Sequence, residues 1–248
     1  MLPNSTTPAQ LAAATVSVAQ LPEAVLRNRW FTSLSAAHQA ALLQVCRRWV
    51  LRDGQLAMTQ GHSVRKRRDG LMVLVDGSLK IASTSAAGSQ TILSFVQPGQ
   101  WFGELSLIDG LTRSRDVRSV GVSEVLVVEP DAFTALMKDA SFASQVTLLL
   151  SSRTRMLLGL VEDFAMRSAR ARTARRLLLL ACDDDTQNKP TRKEISVSHE
   201  ALASMLGMTR QTLAQQLKLL SQAGAIAQGY SRIIVSSVVV LMAEASGT

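Results

Sequence analysis

The sequence predicts an α+β chain in three parts: a β-roll or barrel of short strands, one long helix, and a winged helix-turn-helix. Three observations carry that prediction. Between Gly54 and Gly121 nine glycines punctuate short apolar runs such as LMVLV, LKIAS and TILSFV, with VLVVEP following, the pattern of many strands joined by tight turns. From Phe142 to Met166, Val146, Leu149, Leu150, Leu157, Leu160, Val161 and Phe164 recur at three- and four-residue steps, as on one long amphipathic helix. From Ser198 to Val235 two short helical sets meet at a glycine, and apolar runs separated by turn formers follow them.

The first twenty-two residues carry no charged side chain. LAAATVSVA resembles the apolar core of a secretion signal, but no Lys or Arg precedes it, so residues 1–20 are predicted to be a mobile leader. Residues 21–50 then show helical spacing, with Leu26, Trp30, Phe31, Leu34, Leu42, Leu43 and Val45 as the apolar face. They open a sensor domain predicted over residues 21–141. HSVRKRR, His62 to Arg68, interrupts the roll; it reads as solvated surface, with a ligand or DNA contact as the alternative.

The end of the roll holds the first motif with chemistry in it. Around Gly103, Glu104, Leu105 and Ser106, and again at Arg113 and Ser114, a short turn gathers small residues, one carboxylate and one guanidinium. Backbone N–H groups at Gly103, Leu105 and Ser106 can form an anion nest, while Arg113 supplies a planar donor fork and Ser114 a hydroxyl. The alternative is structural, with Glu104 and Arg113 paired across a turn.

The helix of residues 142–167 is predicted to be the dimer element, with Leu150, Leu157, Leu160, Val161 and Phe164 facing a parallel partner and Arg153, Arg155, Glu162 and Asp163 flanking the seam. A hinge near Ser168 opens a DNA-binding domain over residues 168–248. Arg167, Arg170, Arg172, Arg175 and Arg176 follow one another without an acid; a solvated helix face opposite the leucines of LLLLAC is the reading, and phosphate contact the alternative. Asp183 to Pro190, DDDTQNKP, is a polar loop of turn formers.

Ala201, Leu202, Met205 and Leu206 form one helical set and Leu213, Leu217 and Leu220 the next. Between them Gly207 can adopt the left-handed conformation that ends a helix, and Thr209 can cap the one that follows. Arg210, Gln211 and Gln215 fall opposite the leucines at the N-terminal end of the second helix, where such helices reach base edges in the major groove. Ala223-Gly224 and Gly229-Tyr230 punctuate a two-stranded wing.

Composition bounds the partners. With 248 residues, 47% of them apolar, there is chain for two cores of ordinary domain size. The net charge of +8 favours an anionic partner. Residues 1–145 hold 14 basic against 11 acidic side chains and residues 146–248 hold 13 against 8, so the shorter half is the more basic. The apolar run from Ile233 to Ala243 is too short to span a bilayer. Cys46 and Cys182 stand far apart, which predicts neither a disulfide framework nor a metal cluster. The histidines His38, His62 and His199 fall in a helix, a basic loop and the first reading helix, so no catalytic constellation is legible and catalysis is not expected.

Two motifs, PGQWFGELSLIDGLTRSRDV at residues 98–117 and GMTRQTLAQQL at residues 207–217, carry a resemblance over residues 21–248 to the Crp/Fnr family of bacterial transcription regulators. The resemblance implies a double-stranded, cyclic-nucleotide-binding-like jelly roll, a dimer helix and a winged reader. It also implies a cytoplasmic homodimer on palindromic double-stranded DNA that meets RNA polymerase and no membrane. In the family the residues matching Glu104, Arg113 and Ser114 contact ribose and cyclic phosphate, so cyclic AMP or cyclic GMP is the candidate effector. The family's best-known activator places two hydroxyl residues against adenine where this chain has Leu157 and Leu158, which cannot bond a base edge. An effector-independent regulator with a degenerate pocket, or a nucleotide-binding module without DNA, is the alternative. No N-terminal cysteine cluster is present, so no iron–sulfur cluster is expected. Arg210 matches the family arginine that forks onto guanine, Gln211 and Gln215 depart from the family's Glu and Arg, and Ser198, Thr209 and Thr212 match phosphate contacts.

Overall fold

The computed structural model describes residues 21–85, 87–182, 193–229 and 232–247. The predicted leader, the loop Asp183 to Pro190 and Tyr230 of the wing turn lie outside them. Three short helices, α1 (Glu23–Leu26), α2 (Arg29–Ser33) and α3 (Ala36–Val45), lead into strands β1 (Cys46–Leu51), β2 (Leu56–Met58), β3 (Leu71–Thr84), β4 (Gln90–Val96) and β5 (Trp101–Phe102). Helix α4 (Leu105–Ile108), strand β6 (Asp116–Val128) and helix α5 (Pro130–Leu136) complete the roll. The fold is α+β, and all its strand pairs are antiparallel.

The strands are fewer and longer than their glycine punctuation suggests. β3 and β6 run 14 and 13 residues and pair with each other over most of that length, through register shifts near Asp76 that bend the pair. LMVLV is buried on every residue because the roll has two cores. Leu71, Val73 and Val75 face the helices together with Leu126 and Val128, while Met72, Leu74, Val125 and Val127 fill the roll interior. A strand covered on both faces reads as a continuous apolar run instead of an alternation.

Helix α6 (Ala140–Met166) starts two residues before Phe142, because the Asp139 side chain accepts from the N–H groups of Ser141 and Phe142 and so caps it. Those bonds, with His38 beside the carboxylate, hold the Asp139 pKa below its usual value. Its first half is pinned to the roll by aromatics. Trp30 meets Trp101 edge-on at 5.2 Å and Phe142 at 6.4 Å, and the Trp30 indole donates to the Gln145 carbonyl at 2.9 Å. Its second half leaves the roll, and Leu157, Leu158, Val161 and Phe164 stay at least half exposed.

Ser168 then caps α7 (Ala169–Leu180), so the chain turns where the hinge is predicted. β7 (Glu194–Ile195), α8 (His199–Leu206), α9 (Arg210–Gln222), β8 (Ile226–Gly229), β9 (Arg232–Val235) and α10 (Val238–Ser246) follow. Their sheet has the order β7-β9-β8. Leu177, Leu202, Leu206, Leu213, Leu217, Leu220, Ile233 and Leu241 make its core. Ile92 and Phe95 of β4 lean on that core, and the Ile92 N–H donates to Ser204 Oγ at 3.0 Å. The apolar run from Ile233 divides at Ser237, which caps α10. No helix among the described residues is long and apolar enough to cross a membrane. Cys46 and Cys182 are both buried, and burial pushes the Cys46 thiol up to about 12.

Candidate functional site

Two regions hold the residues singled out above. The first is a cavity of about 700 Å³ between the roll, α6 and the α7–α8 side of the C-terminal part. Gly103, Glu104, Leu105, Ser106, Arg113, Ser114 and Leu157 all line it, together with Leu160 and Phe164; Leu158, also on α6, is not in the lining. Gly103 has φ +95°, and a Cβ there would overlap Met58 Cε and the Gly70 carbonyl, so only glycine fits this turn. Leu105 and Ser106 open α4, where a helix leaves its first N–H groups without internal partners.

The ion pairs of this cavity are not those the sequence suggests. Glu104 and Arg113 are not partners. Arg113, 4% exposed, turns its fork onto Asp69: Nε donates to Asp69 Oδ1 at 3.1 Å, Nη2 bonds the same oxygen and also the Gly70 carbonyl at 3.1 Å, and Nη1 donates to the Gly103 carbonyl at 2.5 Å. Asp69 is itself buried and accepts from the N–H groups of Gly70 and Arg65. The donor fork predicted at Arg113 is thus engaged by the Asp69 carboxylate in this structure. Glu104, 3% exposed, bonds Arg153 of α6 through Oε1, and Arg153 also donates to the Trp101 carbonyl. Glu104 Oε2 is buried with no hydrogen-bond partner, which suits a ligand hydroxyl or N–H at that end.

Two further predictions are modified by such contacts, and a third, the basic loop, is not. Arg153 and Asp163, read as flanking the seam, have partners within the chain: Arg153 turns onto Glu104, and Asp163 is buried between Arg167 and Arg175. The arginines of α7 are not a solvated face: Arg170 pairs with Glu244, the Arg172 guanidinium lies 5.1 Å over the Phe164 ring, and Arg176 bonds the Leu93 carbonyl. Arg65, Lys66 and Arg67 are exposed, as surface loop residues are.

The second region is the helix-turn-helix. Gly207 is left-handed at φ 59°, ψ 37° and ends α8, whose N-cap is Ser198. Thr209 caps α9, accepting from the Thr212 N–H at 3.1 Å, and the two hydroxyls meet at 2.9 Å. Leu213, Leu217 and Leu220 bury one face of α9, while Arg210, Gln211 and Gln215 stand exposed on the other. Arg210 Nη2 lies 2.8 Å from Glu200 Oε2, an exposed pair that leaves the arginine within reach of solvent and holds it weakly.

Comparison with known proteins matches both regions. The model of the cyclic nucleotide-binding domain matches residues 49–140, and that of the Crp-like helix-turn-helix domain matches residues 171–243. The cAMP-activated global transcriptional regulator CRP of Escherichia coli O6:H1 is 25% identical over 172 residues, 68% of this chain and 82% of that protein. The cyclic AMP receptor protein of Thermus thermophilus is 26% identical over 178 residues, 71% and 80% of the two chains. Among solved structures, FixK2 of Bradyrhizobium japonicum superposes with a TM-score of 0.67 at 17% identity, over 80% of this chain and 96% of its own. The c-di-GMP responsive global regulator CLP of Xanthomonas campestris gives 0.62 at 18% identity, over 82% and 100%.

Proposed function

Because this chain belongs to the Crp/Fnr family of transcription regulators, we propose that it acts as a cytoplasmic homodimer whose C-terminal halves read the two arms of a palindrome in double-stranded DNA. The observation that carries this reading is one exposed seam. Leu157, Val161 and Phe164 are 57%, 65% and 50% exposed on a 27-residue helix whose first half is buried against the roll at Phe142, Val146 and Leu149. Leu150, Leu157, Val161 and Phe164 keep heptad spacing, and Leu160 lies beside them, so a second α6 running parallel would cover the stripe. Residues 21–141 would then be the sensor, 142–167 the dimer helix and 168–248 the reader, with RNA polymerase as the further partner.

In this reading α9 enters the major groove by its N-terminal turn. Arg210 forks onto a guanine, Gln211 and Gln215 favour adenine, and the hydroxyls of Ser198, Thr209 and Thr212 face phosphates. Arg210→Ala is expected to cost about 1–3 kcal/mol at one base pair and relax preference there. Titration of the variant on its selected operator and on random DNA checks this; equal loss on both would show that Arg210 holds phosphate only.

The effector is a separate question within the same reading. Glu104 Oε2 suits a ribose hydroxyl, but the Arg113 end does not fit a cyclic phosphate while Asp69 occupies it. Cyclic AMP or cyclic GMP, with its phosphate on Arg113, has first to displace that carboxylate.

A further inference from the structure

The charges around the cavity do not balance. Of the five arginines between residues 167 and 176, three have carboxylate partners: Arg167 and Arg175 share Asp163, and Arg170 takes Glu244. The other two, Arg172 and Arg176, lie one turn apart on α7, and both line the cavity. Neither has a carboxylate within ion-pair distance among the described residues. Arg176 is 9% exposed and bonds the Leu93 carbonyl, and among the described residues its buried Nε has no acceptor. Burial alone lowers its pKa to about 10, so the environment already opposes the charge that the side chain carries. Arg172 rests on the Phe164 ring, and its Nε is likewise buried without an acceptor. A guanidinium taken out of water without a counter-ion is strongly disfavoured, and a ligand anion relieves that penalty directly.

The walls between these cations and the roll are mostly apolar, with Leu93, Leu157, Leu160, Leu179 and Leu206 beside the polar Thr91, Ser94 and Ser204. The cavity volume falls within the range of small-molecule sites. A ligand matched to it has a hydrocarbon body and a single anionic end.

We propose that this cavity binds an amphipathic carboxylate, an apolar small molecule whose head group takes Arg172 and Arg176. The pole for the anion thus lies on the reading half, at α7, while Arg113 on the roll is closed by Asp69. Such a ligand touches both halves of the chain and favours the arrangement in which β4 leans on α8. The inference rests on the roll and reader forming one regulator, but its failure is separable from the failure of that reading.

The test is calorimetric titration of the full-length protein with decanoate, kept below micelle-forming concentrations, beside decanol and cyclic AMP. Saturable decanoate binding, at least roughly tenfold tighter than decanol, is expected, because charge-assisted bonds to the guanidinium groups separate the two. Arg172→Gln and Arg176→Gln should each weaken decanoate by about tenfold or more and leave decanol unchanged. Arg172 is the less buried of the two, and thermal unfolding of each variant shows that the fold is kept. No decanoate binding, equal binding of decanol, or full affinity in both variants would overturn the proposal. Cyclic AMP binding that Arg113→Leu abolishes and Arg172→Gln leaves intact would overturn it as well. Operator binding by the same preparation, measured in parallel, stands or falls with the DNA-reading function alone.

Discussion

Asp69→Ala is expected to destabilise the roll by about 3–5 kcal/mol, the range for a buried ion pair broken from one side. Both members of the pair are nearly sealed, with side chains 4% and 3% exposed, so Arg113 would be left as a buried cation. Its remaining acceptors are the Gly70 and Gly103 carbonyls, which are dipoles rather than charges. Loss of Asp69 also removes the acceptor for the N–H groups of Arg65 and Gly70, so the end of the basic loop loosens with it. The double variant Asp69→Ala/Arg113→Leu should recover much of that loss, because no charge then remains uncompensated. Urea unfolding of the three variants checks this. A double variant no more stable than Asp69→Ala alone would show that Asp69 acts through the loop and not through the arginine.

Leu157→Glu combined with Phe164→Glu should abolish both the dimer and operator binding. The change places four carboxylates, two per chain, into a parallel apolar seam, where their desolvation and mutual repulsion outweigh the remaining contacts. Within one chain both side chains are half exposed, so the protomer itself should keep its fold. Phe164→Glu alone is less clean, since that ring also lies under Arg172. Sedimentation velocity with operator titration separates the outcomes. An unchanged dimer mass would mean that the exposed stripe of α6 is not the interface.

What could be read from the sequence was what is decided locally. The helix-turn-helix is specified by residues within a few positions of one another: Ser198 caps α8, Gly207 ends it, Thr209 caps α9 and three leucines bury one face. The apolar stripe of α6 is local in the same sense. The cavity is not. Asp69 meets Arg113 across 44 residues and Glu104 meets Arg153 across 49, and no periodicity or motif links such positions. Asp69 carries one usable signal, as the lone acid after four basic residues and directly before a glycine. The arginines of α7 mislead for a related reason. Facing away from leucines is not the same as facing water when a neighbouring helix supplies Asp163 and a strand supplies the Leu93 carbonyl. The long strands are not legible because a register shift in β3 leaves the same glycine signature as a turn.

The central claim is that two copies of this chain, joined through α6, read a palindrome with α9. Selection from random duplex DNA by the full-length protein, followed by sequencing of the bound fraction, tests it most directly. The account predicts an inverted repeat with half-sites about one helical turn apart, roughly 10 to 11 base pairs centre to centre, and a guanine in each half-site whose enrichment disappears with Arg210→Ala. Recovery of single unpaired half-sites, or of no enriched sequence at all, would contradict it.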